Sequence, residues 1–343
     1  MRSIMGVPGS AAANRILRSF SIRIGWRELL VVLLCLSASM VQAADVTSYN
    51  IDVGGLQREY LLASAVGKAT AGARPLILLL HGHLGTAANA LGRGARPSPL
   101  AAWLDIVDRE QVLVAALQGT RGAEHNTGWN DCRLDSPGNP KVDDVTFAAR
   151  VVQQLVASGR ADPKRIYAMG MSNGGVMAYR LAQQLRPAPV AIAAVSSSMA
   201  RDSACKDTPP KVSVLLINGS ADPIMPYAGG GVGVFGHSTG NVIGAAATRD
   251  VWLRVDGLEH AKAASSSFQN LPASDGTRAL KTVYGPDRGP QVEMISIQDG
   301  GHVEPSLRYH YGRLYTRLVG NQNQDFESAE EAWSFFRNKS GPL

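Results

Sequence analysis

Arg165-Ile166-Tyr167-Ala168-Met169-Gly170-Met171-Ser172-Asn173-Gly174-Gly175 sets a serine between a strand and a helix. Arg165–Met169 has the short apolar character of a covered strand. From Gly174 to Leu185 apolar residues recur at helical spacing, and Pro187 ends the pattern. Between the two, Gly170-Met171-Ser172-Asn173-Gly174 matches G-x-S-x-G. The chemistry needs that pattern because the serine must occupy a strained strand-to-helix turn. Glycine on either side removes Cβ atoms that would collide there, and the hydroxyl stands clear. The same turn places the Asn173 backbone N–H at a helix start, facing the position of a developing oxyanion.

A second match exists, Gly236-His237-Ser238-Thr239-Gly240. Context separates the two. Ser238 follows Gly229–Gly236, too rich in glycine for a central strand, and that cluster reads as the start of a loop. Ser238 is expected to cap the helix that follows it, a position serine favours. Ser172 is therefore the candidate nucleophile.

Working outward, Tyr49–Val53 and Arg58–Leu62 alternate around Gly54-Gly55 and read as a β-hairpin. Pro75–Leu80, Val112–Leu117, Arg165–Met169, Val190–Val195, Val212–Ile217 and Val292–Ile297 are short continuous apolar runs, as in strands covered on both faces. Helical patterns fall between them at Asp143–Ser158, Gly174–Leu185 and Ala245–Val255, and Ser328–Phe336 closes the chain. This alternation predicts an α/β fold: a mostly parallel central sheet with helices on both faces. The 343 residues, 45% of them apolar, suffice for one large core.

His302 follows the last predicted strand in Asp299-Gly300-Gly301-His302, where a loop can carry an imidazole over the sheet edge. It is the candidate general base. His260 and His310 lack a preceding strand. Asp222 follows Val212–Ile217 and is the candidate acid that fixes the imidazole tautomer, although Asp before Pro also starts turns. Asp299 is a poorer acid, three residues from His302 in one tight loop. Asp143 and Asp144 read as a helix cap and first turn. His81-Gly82-His83-Leu84-Gly85 follows the first central strand, and His83 or Leu84 is the expected second oxyanion donor beside Asn173. His81 and His83 lack the clustered carboxylate or thiolate partners of a metal site, so no metal or cofactor is expected.

These segments, with Gly128-Trp129-Asn130, Val142-Asp143-Asp144-Val145 and Gly219-Ser220-Ala221-Asp222-Pro223-Ile224-Met225-Pro226-Tyr227, together resemble the polyhydroxybutyrate depolymerase and feruloyl-esterase-like family of secreted esterases. The likeness runs over roughly residues 50–338. It implies an α/β-hydrolase fold, a Ser172–Asp222–His302 triad, and hydroxyalkanoate or phenolic-acid ester substrates, small or oligomeric. Two departures stand out. Val303-Glu304-Pro305 replaces the aromatic residue often found after the family's histidine. The chain also stops soon after its last helix, without the polymer-binding module of polymer-degrading relatives, so soluble esters and oligomers fit better than insoluble polymer. Trp129, in a long loop, either stacks on substrate as a pocket wall or packs beneath the loop.

Residues 1–43 read as a signal peptide, leaving 44–343 as one catalytic domain. Arg15, Arg18, Arg23 and Arg27 precede the apolar run Leu29–Met40, and Val41 and Ala43 suit cleavage before Ala44. The run is short of the roughly 20 residues that span a bilayer, so no stable membrane insertion is expected. A secreted or periplasmic location follows. The segment holds five Arg and one Glu, so the chain's net charge of +6 leaves about +2 for the remainder. No basic stripe argues for nucleic acid. Cys132 and Cys205 either pair in an oxidising compartment or remain buried thiols. A serine peptidase, an acyltransferase and a non-catalytic binding protein on the same scaffold are the alternatives to an esterase.

Overall fold

A computed structural model describes residues 44–67, 72–95, 97–234 and 237–341. The expected signal peptide lies outside the described residues. In chain order the strands are β1 (Asp45–Val53), β2 (Leu56–Ser64), β3 (Arg74–Leu80), β4 (Leu113–Leu117), β5 (Thr120–Arg121), β6 (Thr127–Gly128), β7 (Ala161–Met171), β8 (Ala191–Val195), β9 (Ser213–Gly219), β10 (Gly229–Val234), β11 (His237–Ile243), β12 (Ala264–Ser267), β13 (Arg278–Tyr284) and β14 (Val292–Gln298). The α-helices are α1 (Ala87–Ala90), α2 (Trp103–Glu110), α3 (Asp144–Ala157), α4 (Asn173–Gln184), α5 (Ala245–Asp256), α6 (Arg313–Val319) and α7 (Ser328–Phe336). No helix among the described residues is long and apolar enough to cross a membrane.

Ten strands form the main sheet in the order β1-β2-β4-β3-β7-β8-β9-β14-β13-β12. The inner strands β4, β3, β7, β8, β9 and β14 run parallel. They are the six apolar runs read from the sequence. Their apolar character is continuous because both faces are covered. One face packs Phe147 and Val151 of α3, Met177 and Leu181 of α4, and Trp252 of α5. The other packs Trp103 and Ile106 of α2 with Ala329 and Phe336 of α7. Removing each large apolar side chain from water contributes about 1.5–3 kcal/mol.

The edges differ from the interior. β1 and β2 form the expected hairpin and join β4 antiparallel. At the far edge β13 pairs antiparallel with β14 and β12 antiparallel with β13, and β12 carries no apolar signal, since Ala264–Ser267 is exposed throughout. The Gly229–Gly233 cluster is not a plain loop. It forms β10, paired with β11 in a separate two-stranded ribbon. Ser238 therefore does not cap α5. It lies on β11, and Gly244 holds the N-cap position without a side-chain bond.

A buried ion pair ties the β2 edge to the start of α3. Arg58 Nη2 meets Asp144 Oδ1 at 2.6 Å, and both side chains are almost wholly buried. Asp144 Oδ2 also takes the Asn130 N–H at 2.7 Å. Burial raises the Asp144 pKa against the pull of Arg58. Asp143 is the cap expected, its carboxylate accepting the Thr146 N–H at 2.9 Å.

Candidate active site

The site sits at the carboxyl ends of the parallel strands, where loops after β3, β7, β9 and β14 meet. Ser172 follows β7 at φ 54°, ψ −123°, a conformation sparsely populated for any residue with a Cβ. Strain of this kind costs on the order of 1–3 kcal/mol and persists only where the surroundings enforce it. Here they do. Ser172 N–H donates to Val195 O of β8 at 2.8 Å. A Cβ on Gly170 would lie 2.1 Å from Gly174 O, and one on Gly174 would lie 2.4 Å from Leu80 O. Both flanking positions are closed to any larger residue.

Three side chains from three loops connect in a line. His302 Nε2 lies 2.8 Å from Ser172 Oγ, and His302 Nδ1 lies 2.7 Å from Asp222 Oδ2. All three residues are buried, Ser172 at the limit with 9% exposure. The other carboxylate oxygen, Asp222 Oδ1, accepts the N–H groups of Ile224 and Met225, each at 2.8 Å. These bonds leave Oδ2 aimed at the imidazole. His302 is held in turn by its own N–H, which donates to Val319 O at 2.6 Å. The loops of Asp222 and His302 approach so closely that a Cβ on Gly219 would meet Gly300 O at 2.3 Å. In this arrangement a hydroxyl proton can pass to Nε2 while the carboxylate stabilises the imidazolium.

No family model matches the chain. It is 30% identical over 303 residues to NocK of Nocardia uniformis subsp. tsuyamanensis, a protein named as an esterase, spanning 86% of this chain and 83% of that one. The chain belongs to this esterase family. Feruloyl esterase B of Piromyces equi is 27% identical over 199 residues, 56% of the chain but only 34% of that protein. Acetyl xylan esterase from Aspergillus awamori superposes with a TM-score of 0.50 at 13% identity, over 79% of this chain and 98% of that one. That likeness concerns the fold, which is the α/β-hydrolase fold.

The esterase's turn after β3 corrects one expectation. The Leu84 N–H donates to Thr127 O at 2.9 Å, so it is already engaged and cannot serve an oxyanion. Leu84 takes a positive φ of 66° and exposes its side chain. Among the described residues no hydrogen bond engages the backbone N–H of His83 or of Asn173. The turn is braced from below by His81. Gly119 N–H donates to His81 Nε2 at 3.0 Å, which makes Nε2 an acceptor and leaves Nδ1–H to donate to Gly82 O at 2.8 Å. Burial pushes the His81 pKa down to about 4, so this ring is neutral at neutral pH. Among the described residues no group of three or more His, Cys, Asp or Glu side chains could hold a metal ion.

Trp129 is not a pocket wall. Its side chain is fully buried, its Nε1–H donates to His81 O at 2.8 Å, and its ring lies 5.0 Å from the His81 ring. It packs beneath the turn because an indole with one donor is satisfied there and excluded from solvent. Asn173 clamps the same loop. Its Oδ1 accepts the Trp129 N–H at 2.8 Å, and its Nδ2 donates to Asp131 Oδ2 at 2.5 Å. Asp131 is in turn bound by Arg133 at 2.6 Å and by Asn139 Nδ2 at 2.9 Å. Sequence reasoning missed Asp131, Arg133 and Asn139. Cys132 lies within this loop and is disulfide-bonded to Cys205, with Cα atoms 5.4 Å apart.

The rival residues sit elsewhere. His260 and His310 are exposed. Asp299 is exposed and its N–H bonds Ser220 Oγ at 2.9 Å. Val303 and Glu304, which replace the aromatic residue after the histidine, both turn inward. Glu304 is 4% exposed and accepts from Ser98 Oγ at 2.7 Å and Tyr311 OH at 3.0 Å. Glu304 therefore anchors the His302 loop rather than lining its mouth.

Proposed function

We propose that the protein is an exported serine carboxylesterase that acts on hydroxyalkanoate oligomers or on related short-chain and phenolic-acid esters. The observation that carries this reading is the hydrogen-bonded line from Ser172 Oγ through His302 to Asp222. Its order along the chain is that of α/β-hydrolase triads. Export rests on residues 1–43, and the phenolic preference is supported by the partial similarity to a feruloyl esterase.

In the proposed reaction Ser172 Oγ attacks the ester carbonyl as its proton moves to His302 Nε2. The N–H groups of Asn173 and His83 hold the oxyanion. The C–O bond to the alcohol breaks, and His302 returns the proton to the leaving oxygen. Water, deprotonated by the same imidazole, then attacks the acyl-serine and frees the acid. Asp222 keeps Nδ1 protonated and steadies the transient imidazolium.

The test is hydrolysis of p-nitrophenyl butyrate by Ser172→Ala and Ser238→Ala. The first is expected to lose activity by a factor on the order of 10⁴–10⁶ while keeping its circular dichroism spectrum. The second is expected to match wild type. The reverse pattern would overturn the assignment. A panel of feruloyl, hydroxybutyrate dimer and short-chain esters then ranks the substrates, and peptide substrates are expected not to react.

A further inference from the structure

At the amino ends of β8, β9 and β14, on the sheet edge opposite Ser172, the fold leaves a cavity of about 730 Å³. Ligand pockets commonly fall between 300 and 1,000 Å³. Four cationic residues line it, Arg186, Lys211, Arg288 and Lys339, and no Asp or Glu does. Among the described residues neither Arg186, Lys211 nor Arg288 has an ion-pair partner. Carboxylates outside the lining act on two of these cations, Glu293 and Asp287 on Lys339 and Asp256 on Lys211. Asp287 takes Asn338 Nδ2 at 2.8 Å and stands 4.0 Å from Lys339 Nζ with its side chain 60% exposed. Asp256, which feels the Lys211 charge, accepts the Val212 N–H at 3.1 Å.

Lys339 differs from the other three. Its side chain is 1% exposed, its ammonium lies 4.0 Å from the centre of the Phe335 ring, and it donates to Phe335 O and Gln291 Oε1 at 2.8 and 2.9 Å. Its ammonium is held in place in the wall, where burial draws its pKa down against the pull of Glu293 and Asp287, whereas the exposed cations can move to meet a ligand. Much of the remaining wall is proline, at positions 187, 189, 209, 210 and 290. Proline fixes φ and offers no N–H, so these walls are stiff and apolar. Like charges around one cavity repel, and an anion bound among them relieves that repulsion. Stiff apolar walls add favourable burial for a hydrophobic body, which inorganic phosphate lacks.

We propose that this cavity binds a small organic monocarboxylate whose apolar part packs on the prolines and whose carboxylate meets Lys211 and Arg288. The proposal is independent of the catalytic reading, because the site lies on the other edge of the sheet. The probe is cinnamate, with the neutral cinnamamide as control. Both are titrated calorimetrically into the full chain after treatment with a fluorophosphonate, which closes a reactive serine. Cinnamate is expected to bind with one site per chain, and cinnamamide at least tenfold more weakly. Lys211→Ala/Arg288→Ala is expected to weaken cinnamate at least tenfold, the loss of about one charge-assisted contact. The same variant keeps wild-type hydrolysis of p-nitrophenyl butyrate when untreated, which shows that it folds. Absence of cinnamate binding, equal binding of the amide, or equal binding by the double variant would overturn the proposal. Failure of the fluorophosphonate to label would count against the catalytic reading alone.

Discussion

Asn173 Nδ2 donates to Asp131 Oδ2 at 2.5 Å, and so ties the residue after Ser172 to a buried ion pair with Arg133. The backbone N–H of Asn173 is a proposed oxyanion donor, and the side chain of the same residue is held by a carboxylate in a separate loop. Preorganised donors of this kind are worth about 10²–10³ in rate each. Asp131→Asn is expected to lower kcat for p-nitrophenyl butyrate about tenfold or more, with KM within about twofold. It also leaves Arg133 without its charge partner, and loss of one partner of a buried pair costs about 3–5 kcal/mol. A fall in Tm with unchanged kcat would show a purely structural role.

His81 makes stability depend on pH from the acid side. Its folded pKa of about 4 lies below the ordinary 6.5, because burial disfavours the charged ring. As pH falls below about 6.5 the unfolded chain binds a proton that the folded chain refuses. Stability is complete above that range and is lost progressively toward pH 4, by about 3 kcal/mol at most. Because Asp256 titrates oppositely over the same window, the His81 contribution is read as the difference between wild type and His81→Gln in urea titrations between pH 4 and 7. His81→Gln, which cannot titrate, should lack that contribution.

Asp256 acts in the opposite direction. Burial raises its pKa to about 7 from the ordinary 3.8. The folded state therefore keeps a proton that the unfolded state releases, and the penalty grows from about pH 4 to pH 7. Asp256→Asn retains an acceptor for the Val212 N–H. It is expected to stabilise the protein at pH 8 by ~1–2 kcal/mol, allowing for solvent screening, and to change little at pH 4. Equal midpoints for the two chains at pH 8 would refute this.

The inner sheet is legible in the sequence because runs such as Leu76–Leu80 and Val212–Ile217 are apolar on both faces, and only a doubly covered strand reads that way. The outer strands are not. Ala264–Ser267 forms β12 with every side chain exposed, so its pairing comes from β13 and not from its own pattern. The β10–β11 ribbon hides behind glycines that normally mark loops.

Around the site, the loop positions of Ser172, Asp222 and His302 follow from the strands that precede them, and the structure brings the three together. Leu84 and Trp129 show what a one-dimensional pattern omits. Whether an N–H is already engaged, and whether an indole faces inward, depends on contacts with Thr127 and His81 that only the folded chain makes. Asp131 and Arg133 carry the signal that was available, two opposite charges flanking Cys132 next to a Trp-Asn pair. No helical or strand period distinguishes them from a solvated loop.

The most direct test of the account is the site of covalent reaction with a fluorophosphonate, read by peptide mass spectrometry on the intact enzyme. A serine held at a positive φ with the His302 imidazole 2.8 Å from its hydroxyl is predicted to take one label, at Ser172, and His302→Ala is predicted to abolish it. A label on Ser238, or none on the folded wild-type protein, would contradict it.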